Sequence, residues 1–224
     1  MTKTETKRKR TVVVVDDHPI LRRGIIQLIN DDPGLTVVGE AEDVTGAMKV
    51  LTETTPEAVV VDITLRDSSG IDLIREIADK WPDVPVLVFS MHDESFYAER
   101  VLRSGARGYV TKGESAMRVV EGLHKILAGE LFISEKIAGK MLHRVVGGSR
   151  ATEGFPIDSL SDREFEVFGL IGDGLQTREI AGQLGLSVKT IESHRENIKR
   201  KLSIDNATEL LQRAIHWVKF ERGT

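Results

Sequence analysis

The chain of 224 residues is 40% hydrophobic and 29% charged, a composition typical of soluble globular proteins with one or two domains. It contains no cysteine, which excludes disulfides, thiolate zinc sites and cysteine nucleophiles, and its six histidines show no metal-ligand spacing. No apolar run approaches the ~20 residues that a membrane helix needs, and the basic residues 1–10 lack the apolar segment of a secretory signal. We therefore expect a cytoplasmic protein that contacts no membrane.

The first half of the chain alternates short apolar runs with amphipathic segments. Five runs rich in β-branched residues predict buried strands, at residues 11–15, 35–38, 58–62, 84–89 and 108–110. Apolar residues at helical spacing predict five helices, at residues 19–29, 44–51, 71–78, 96–102 and 117–127. This alternation predicts an α/β fold with a doubly wound, five-stranded parallel sheet.

Four of the predicted strands end in polar side chains. Asp16 and Asp17 follow the first strand, Asp62 ends the third, and Ser90 and Lys112 follow the fourth and fifth. The carboxyl ends of parallel strands meet at one edge of a sheet, which is where ligands bind in such folds. A single strand-terminal aspartate would most simply cap the next turn. Convergence from four strands instead favours a functional site.

The chemistry of such a site follows from its charges. Carboxylates a few ångströms apart repel each other by ~4 kcal/mol at an effective dielectric constant of 20, so three of them require a cation. A site built from oxygen ligands suits Mg²⁺. A carboxylate beside a divalent ion, a hydroxyl and an ammonium group is arranged to attack a phosphoryl group. The sequence therefore predicts Asp62 as the acceptor, with Ser90 and Lys112 binding phosphate oxygens.

Residues 11–128 resemble the receiver domain of two-component response regulators, which has a flavodoxin-like fold. The resemblance implies that Asp62 is the phosphoacceptor. It also implies that Asp16 and Asp17 bind Mg²⁺ together with Asp62, and that the carbonyl of Thr64 is a further ligand. These assignments agree with those made from the strand ends.

The resemblance extends to the residues that respond to phosphorylation and also shows two departures. Ser90 and Lys112 match the switch hydroxyl and the phosphate-binding lysine, and Tyr109 matches the aromatic residue that moves inward; simple core packing is the alternative for Tyr109. Receivers usually have Met-Pro soon after the acceptor, but residues 65–70 here are LRDSSG. Many have proline after the lysine, where this chain has Gly113. These departures leave open the lifetime of the phosphoryl group.

The second half of the chain is predicted to be helical. Residues 129–156 are a predicted linker with a helix at about 134–146, followed by a flexible connector. Ser161 and Glu164 form a capping box that begins the first helix of a C-terminal domain at 157–222. Its helices are predicted to end near residue 171 and to occupy 177–184, 188–202 and 207–220. Four short helices with a glycine turn before the third indicate a helix-turn-helix domain.

The third of these helices has a mixed surface. Although the net charge of the chain is −4, residues 187–202 carry five basic residues against two acidic ones. The apolar residues share one face: Val188, Ile191, Ile198 and Leu202. The polar face fits the major groove of DNA, and its candidate contacts are Lys189, Thr190, Glu192, Ser193, Glu196, Asn197, Lys199 and Arg200. Thr190 and Lys199 are placed to reach phosphates, and Glu192 or Glu196 to accept from cytosine N4. The alternative is a solvated helix face.

Residues 160–214 resemble the LuxR-type helix-turn-helix domain, through LSDRE at 160–164, EIA at 179–181 and SVKTIESHRENIKRKL at 187–202. With the receiver in front, the chain resembles a response regulator of the NarL/FixJ type. This implies that the last helix, with Leu210, Leu211, Ala214 and Val218, mediates dimerisation; packing within the domain is the alternative.

We therefore expect a transcription factor and not an enzyme. A partner histidine kinase phosphorylates Asp62, and the activated chain binds double-stranded DNA as a homodimer; RNA polymerase is a further expected partner. One alternative is a constitutive DNA-binding protein with a vestigial receiver. Another, a phosphoester hydrolase, is disfavoured because Thr64 stands two residues after Asp62, where such an enzyme needs a second aspartate as general acid.

Overall fold

The computed structural model describes residues 8–65, 68–146 and 157–222. The chain divides into two compact units, Met1–Ala138 and Gly139–Thr224. The domain limits of 11–128, 129–156 and 157–222 stay predictions. The predicted connector after residue 146 lies outside the described residues, as do residues 66–67 of the loop that departs from the receiver pattern.

The first unit contains a five-stranded parallel sheet with the order β2-β1-β3-β6-β7. Its strands are β1 (Arg10–Val15), β2 (Leu35–Ala41), β3 (Ala58–Val61), β6 (Val86–Ser90) and β7 (Gly108–Thr111), and a short hairpin adds β4 (Thr64–Leu65) and β5 (Ser68–Ser69). All four residues of β3 are buried, as expected for a central strand covered on both faces. The predicted doubly wound fold is therefore confirmed, with β3 in the centre.

Five helices surround this sheet: α1 (Pro19–Asp31), α2 (Val44–Thr54), α3 (Gly70–Lys80), α4 (Glu94–Arg103) and α5 (Met117–Leu127). Local side chains fix where three of them begin. The Asp43 carboxylate accepts from the Gly46 amide at the start of α2, and the Ser69 hydroxyl and Asp93 carboxylate cap α3 and α4 in the same way. Each helix follows the end of a strand, with a short hairpin between β3 and α3, so the connecting loops of the candidate site lie at the carboxyl edge of the sheet.

Two segments of the first unit are more ordered than the sequence indicates. The predicted loop after Asp62 contains the antiparallel hairpin β4–β5, in which Thr64 pairs with Ser69. After α5, Phe132 forms a parallel bridge to Gly108 at the edge of β7. Its amide donates to the Arg107 carbonyl at 2.9 Å, and its carbonyl accepts from the Tyr109 amide at 2.8 Å. Phe132 is buried, so the packing of this unit continues past residue 128.

The remaining helices are α6 (Glu135–Val146), which crosses the division between the units, and α7 (Asp162–Gly172), α8 (Thr177–Gln183), α9 (Val188–Lys201) and α10 (Ala207–Arg222). A single 3₁₀ turn, Ile157–Ser159, precedes α7. The predicted capping box is confirmed: the Glu164 amide donates to the Ser161 hydroxyl at 3.3 Å, and the Glu164 carboxylate accepts from the Ser161 amide at 2.8 Å. None of the helices in the described ranges is long and apolar enough to cross a membrane.

Helix α10 packs closely on α7. A Cβ atom at Gly172 would lie 2.6 Å from the Ala214 carbonyl oxygen, so only glycine allows this approach. Trp217 contacts the rings of Phe165 and Phe168 at centroid distances of 5.2 and 5.7 Å. Of the four apolar residues predicted to mediate dimerisation, three are buried by this packing and only Leu211 is exposed, by 39%. Packing within the domain therefore accounts for Leu210, Ala214 and Val218.

Candidate functional site

The carboxyl edge of the sheet brings together one lysine and two buried carboxylates. The Nζ atom of Lys112 lies 2.6 Å from Asp62 Oδ2 and 2.7 Å from Asp16 Oδ2. All three side chains are at most 4% exposed. Distances of this size are those of charge-assisted hydrogen bonds. Three residues that are far apart in the chain thus form one buried, charged cluster, as their positions at strand ends predicted.

Burial controls the ionisation of this cluster. It raises the pKa of Asp62 to about 6, although the Lys112 ammonium lowers it; the Asp16 charge adds to the increase. Burial also acts to lower the pKa of Lys112, but the two carboxylates outweigh it and the pKa is raised above its ordinary value. The lysine therefore stays charged at neutral pH, and it balances only one of the two carboxylates.

Asp17 and His18 complete the acidic edge. Buried Asp17 Oδ1 has no hydrogen-bond partner among the described residues. The Nδ1 atom of His18 lies 2.8 Å from it, in an orientation that makes no hydrogen bond. One ligand atom from each of Asp16, Asp17, His18 and Asp62 lies within 4.8 Å of the others. An unsatisfied buried carboxylate oxygen in such a set fits a divalent cation.

The predicted switch residues converge on His92, which follows β6. The Ser90 hydroxyl accepts from the His92 amide at 3.3 Å, and the Tyr109 hydroxyl donates to the His92 carbonyl at 3.0 Å. The His92 ring nitrogen Nε2 lies 2.9 Å from Thr64 Oγ1. Tyr109 is buried, and burial raises its pKa well above the usual value, so its hydroxyl stays a donor. The loop after β3, which contains Thr64, is therefore linked to the loop after β6, which contains His92.

Thr64 is held beside the proposed acceptor by its backbone. Its amide donates to Asp62 Oδ1 at 3.2 Å, while Lys112 binds the other oxygen. Both carboxylate oxygens of Asp62 thus have a donor, which fixes the plane of the carboxylate. The role of the Thr64 carbonyl as a metal ligand stays a prediction.

The sequence did not reveal His18 and His92 as members of this site. A search for metal-ligand spacing misses them because no second histidine lies close to either of them in the sequence. The signal that was present is adjacency: His18 directly follows Asp16 and Asp17, and His92 lies two residues after Ser90. A residue next to a strand end can reach the same edge as the strand-terminal side chain.

Helix α9 presents the predicted polar face to solvent. Ile191, Ile198 and Leu202 of the predicted apolar face are buried, whereas Val188 is 39% exposed. Val188 is the first residue of the helix, where the apolar face extends beyond the core. Of the candidate DNA contacts, Lys189, Glu192, Ser193, Glu196 and Arg200 are exposed, and Thr190, Asn197 and Lys199 are partly buried.

Several of these polar side chains contact one another along the helix. Lys199 Nζ lies 2.9 Å from Glu196 Oε1, and Arg200 donates to Asn197 Oδ1 at 3.0 Å. The Thr190 hydroxyl lies 2.8 Å from that of Ser187, the residue that caps α9. These exposed pairs have small energies and can exchange for contacts to a ligand.

Two cations connect α7 to the helix-turn-helix. Lys201 Nζ, at the end of α9, lies 2.6 Å from Glu164 Oε2, whose side chain is 6% exposed. Arg163 donates to the Leu184 carbonyl at 3.3 Å, at the turn that precedes α9. Lys201, one of the five basic residues counted within residues 187–202, is therefore a structural residue. Burial acts to raise the pKa of Glu164, but Lys201 and the Ser161 amide outweigh it and lower the pKa.

Because the pKa of Glu164 is lower in the folded chain, its ionised form contributes stability above the unfolded pKa, and this contribution is lost as the pH falls through the folded pKa. We expect Glu164→Gln to lower the free energy of unfolding by about 1.5–3 kcal/mol at neutral pH, with a smaller difference in acid. In a Trp81→Phe background, Trp217 fluorescence during urea unfolding reports the helical unit. The exposed cap variant Glu179→Gln is the control, and a difference for Glu164→Gln that does not shrink in acid contradicts the prediction.

Fold and site together define a class of protein: a doubly wound α/β unit with an acid–lysine cluster at its sheet edge, followed by a helix-turn-helix unit. Residues 12–124 match the response regulator receiver domain family. Residues 158–214 match the family of bacterial regulatory proteins of the luxR type. The two matches cover both units.

Whole-chain relatives have the same organisation. The transcriptional regulatory protein DegU of Brevibacillus brevis is 30% identical over 98% of this chain and 99% of its own. The response regulator GacA of Pseudomonas aeruginosa is 32% identical over 91% of this chain and 94% of its own. Among solved structures, the RcsB response regulator of Salmonella typhimurium matches with a TM-score of 0.62 and 26% identity, over 94% of this chain and 98% of its own.

The chain belongs to the two-component response regulators that join a receiver domain to a LuxR-type DNA-binding domain. It is a DNA-binding transcriptional regulator, as the resemblance predicted. The named relatives are a transcriptional regulatory protein and a response regulator. The acidic cluster is consequently the candidate signal-receiving site, and the exposed face of α9 is the candidate nucleic-acid interface.

Proposed function

We propose that a partner histidine kinase phosphorylates Asp62 with the help of Mg²⁺, and that this modification switches DNA binding. The observation that supports the proposal most directly is the bridge from Lys112 to Asp62 and Asp16 at 2.6 and 2.7 Å. It holds a buried carboxylate beside a cation at the edge of the sheet, where a phosphoryl donor can approach.

The reaction is a phosphoryl transfer. A carboxylate oxygen of Asp62 forms a bond to phosphorus while the bond to the kinase imidazole breaks, and the imidazole leaves with the electron pair. Because the pKa of Asp62 is about 6, most of the carboxylate is ionised and nucleophilic at pH 7. Lys112 neutralises charge on the transferred group. Asp16, Asp17, Asp62 and the Thr64 carbonyl would hold Mg²⁺, which would supply further charge stabilisation to the phosphoryl oxygens.

The modified Asp62 carries added negative charge, which attracts the Ser90 hydroxyl. Ser90 Oγ accepts from the His92 amide, and the His92 carbonyl accepts from Tyr109, so a movement of Ser90 changes the contacts of this loop. We propose that these changes bias an equilibrium between inactive and active states. The active state binds DNA as a homodimer, with RNA polymerase as a further partner.

In the DNA complex, α9 enters the major groove and two copies of the chain occupy half-sites about one helical turn apart. The exposed side chains of Lys189 and Arg200 supply positive charge toward phosphates. Promoter binding itself is supported by a relative: RcsB from Salmonella enterica has been solved bound to promoter rprA in the presence of the phosphomimetic BeF3−, with a TM-score of 0.58 and 26% identity over 92% of this chain and 98% of its own.

The test measures DNA affinity and oligomer size with and without acetyl phosphate and Mg²⁺. In the wild type we expect the donor to tighten DNA binding by about 5–150-fold, the usual range for coupling between two sites, and to shift monomer to dimer. Asp62→Asn should lose both responses. The control is Asp72→Asn, because the Asp72 side chain is 66% exposed on α3 and should keep them.

The same measurement separates the alternative function. The departure from the receiver pattern at residues 65–70 and at Gly113 keeps a constitutive DNA-binding protein as the second candidate. A wild type that binds DNA equally well with and without the donor supports constitutive binding and contradicts the proposed switch.

A further inference from the structure

A nitrogen donor lies within the acidic cluster. His18 Nδ1 is 2.8 Å from Asp17 Oδ1, 3.3 Å from Asp16 Oδ1 and 4.0 Å from Asp62 Oδ2. The His18 amide also donates to Asp16 Oδ1 at 2.7 Å, which fixes the backbone of His18 beside the cluster. Three carboxylates and one imidazole thus each place one ligand atom within 4.8 Å of the others.

The spacing of these atoms matches one coordination sphere. In octahedral geometry at ~2.0–2.1 Å from the ion, adjacent ligand atoms are about 3.0 Å apart and opposite ones about 4.2 Å. The distances of 2.8 and 3.3 Å from His18 Nδ1 match adjacent positions. The distance of 4.0 Å to Asp62 Oδ2 matches an opposite position. The nitrogen and the carboxylate oxygens can therefore bind the same ion.

The simpler explanation is an ion pair between His18 and Asp17. It does not account for Asp17 Oδ1, a buried atom that makes no hydrogen bond within the part of the chain that the structure describes, although the ring nitrogen is 2.8 Å away. A hydrogen bond requires the donor to point at its acceptor, whereas two ligands of one ion need not point at each other. The His18 side chain is 61% exposed, so packing against neighbours does not determine this ring position.

We infer that His18 is a nitrogen ligand of the cation site and extends its selectivity to transition ions that bind imidazole, such as Ni²⁺ and Zn²⁺. The inference rests on the proposed cation site and adds a residue that determines which ion it prefers. Mg²⁺ prefers oxygen ligands and keeps its waters. Imidazole suits Zn²⁺ and Ni²⁺, so the contribution of His18 depends on the ion.

The test is isothermal titration of the untagged full-length chain with Mg²⁺, Ni²⁺ and Zn²⁺ at one fixed pH. We expect His18→Ala to weaken Ni²⁺ and Zn²⁺ binding by about 10–100-fold, the loss of affinity that is typical when a residue supporting a metal site is removed. The Kd for Mg²⁺ should change by less than about 3-fold, since its oxygen ligands remain. His124→Ala is the matched control: that ring lies 3.1 Å from Asp32 Oδ2, outside the acidic cluster, and its removal should change none of the three constants.

The outcomes separate the inference from the proposed function. If the wild type binds Mg²⁺ and loses it in Asp17→Asn, the cation site stands. If His18→Ala then changes Mg²⁺ and Ni²⁺ binding by the same factor, or changes neither, His18 is not a selective ligand and the inference is overturned. If the wild type binds none of the three ions, the proposed cation site itself fails.

Discussion

Replacing Lys112 with methionine should lower the free energy of unfolding of the first unit by about 3–5 kcal/mol at neutral pH. The Lys112 side chain is 1% exposed and its ammonium group lies within 2.7 Å of two buried carboxylates, so its removal leaves uncompensated negative charge in the interior. Methionine retains most of the side-chain volume, which separates the loss of charge from the loss of packing. Hydrogen exchange of the amides in β1 and β3 under denaturant measures the stability of this unit.

The loss of unfolding free energy in Lys112→Met should depend on pH and on cations. Because the folded pKa of Asp62 is already raised to about 6, ionising it destabilises the fold as the pH rises, and removing Lys112 strengthens that effect. The Lys112→Met deficit is therefore expected to be largest above pH 6, smaller in acid, and smaller when Mg²⁺ is added. Lys125→Met is the control, since Lys125 pairs with Glu130 at 2.7 Å with both side chains about half exposed, and we expect its stability to stay close to that of the wild type. Equal losses for the two variants would contradict the prediction.

The placement of the acid–lysine cluster was predictable because it follows from topology. Buried valine runs identify parallel strands, and parallel strands bring their last residues to one edge regardless of side-chain detail. Asp16, Asp62 and Lys112 meet for that reason. The ring position of His18 and the unsatisfied oxygen of Asp17 depend on torsion angles and on exposure, which no sequence pattern encodes.

The hairpin β4–β5 and the partner of α10 were not predictable for other reasons. Strands of two residues, such as Thr64–Leu65, are too short to show an alternating pattern. The capping box at Ser161 was predictable because it involves residues three apart. The apolar pattern of α10 predicts that Leu210 and Val218 are buried. It does not indicate whether α7 or a second copy of the chain buries them. The close approach at Gly172 decides in favour of α7.

Gly70→Ala should be the most damaging single-methyl substitution beside the proposed acceptor. An added Cβ would collide with the Asp62 carbonyl oxygen and lie 2.8 Å from Ile63 Cα, and both of these atoms belong to the backbone. No side chain can move to relieve the contact, so the end of β3 or the start of α3 must shift. We expect a loss of about 1–3 kcal/mol in the stability of the first unit, measured by the same hydrogen exchange of β1 and β3.

A shift of this backbone should also slow phosphorylation, because it moves the Asp62 carboxylate relative to Lys112. The rate of phosphoryl uptake from acetyl phosphate is therefore expected to fall by more than the unfolded fraction explains. Gly24→Ala is the matched control: Gly24 lies exposed in α1, and among the described residues no neighbouring atom outside its own helical turn lies within 4 Å of an added Cβ. Alanine should therefore stabilise the helix by about 0.5–1 kcal/mol and leave uptake unchanged. A Gly70→Ala chain with wild-type stability and wild-type uptake would show that the Asp62–Gly70 contact does not position the acceptor.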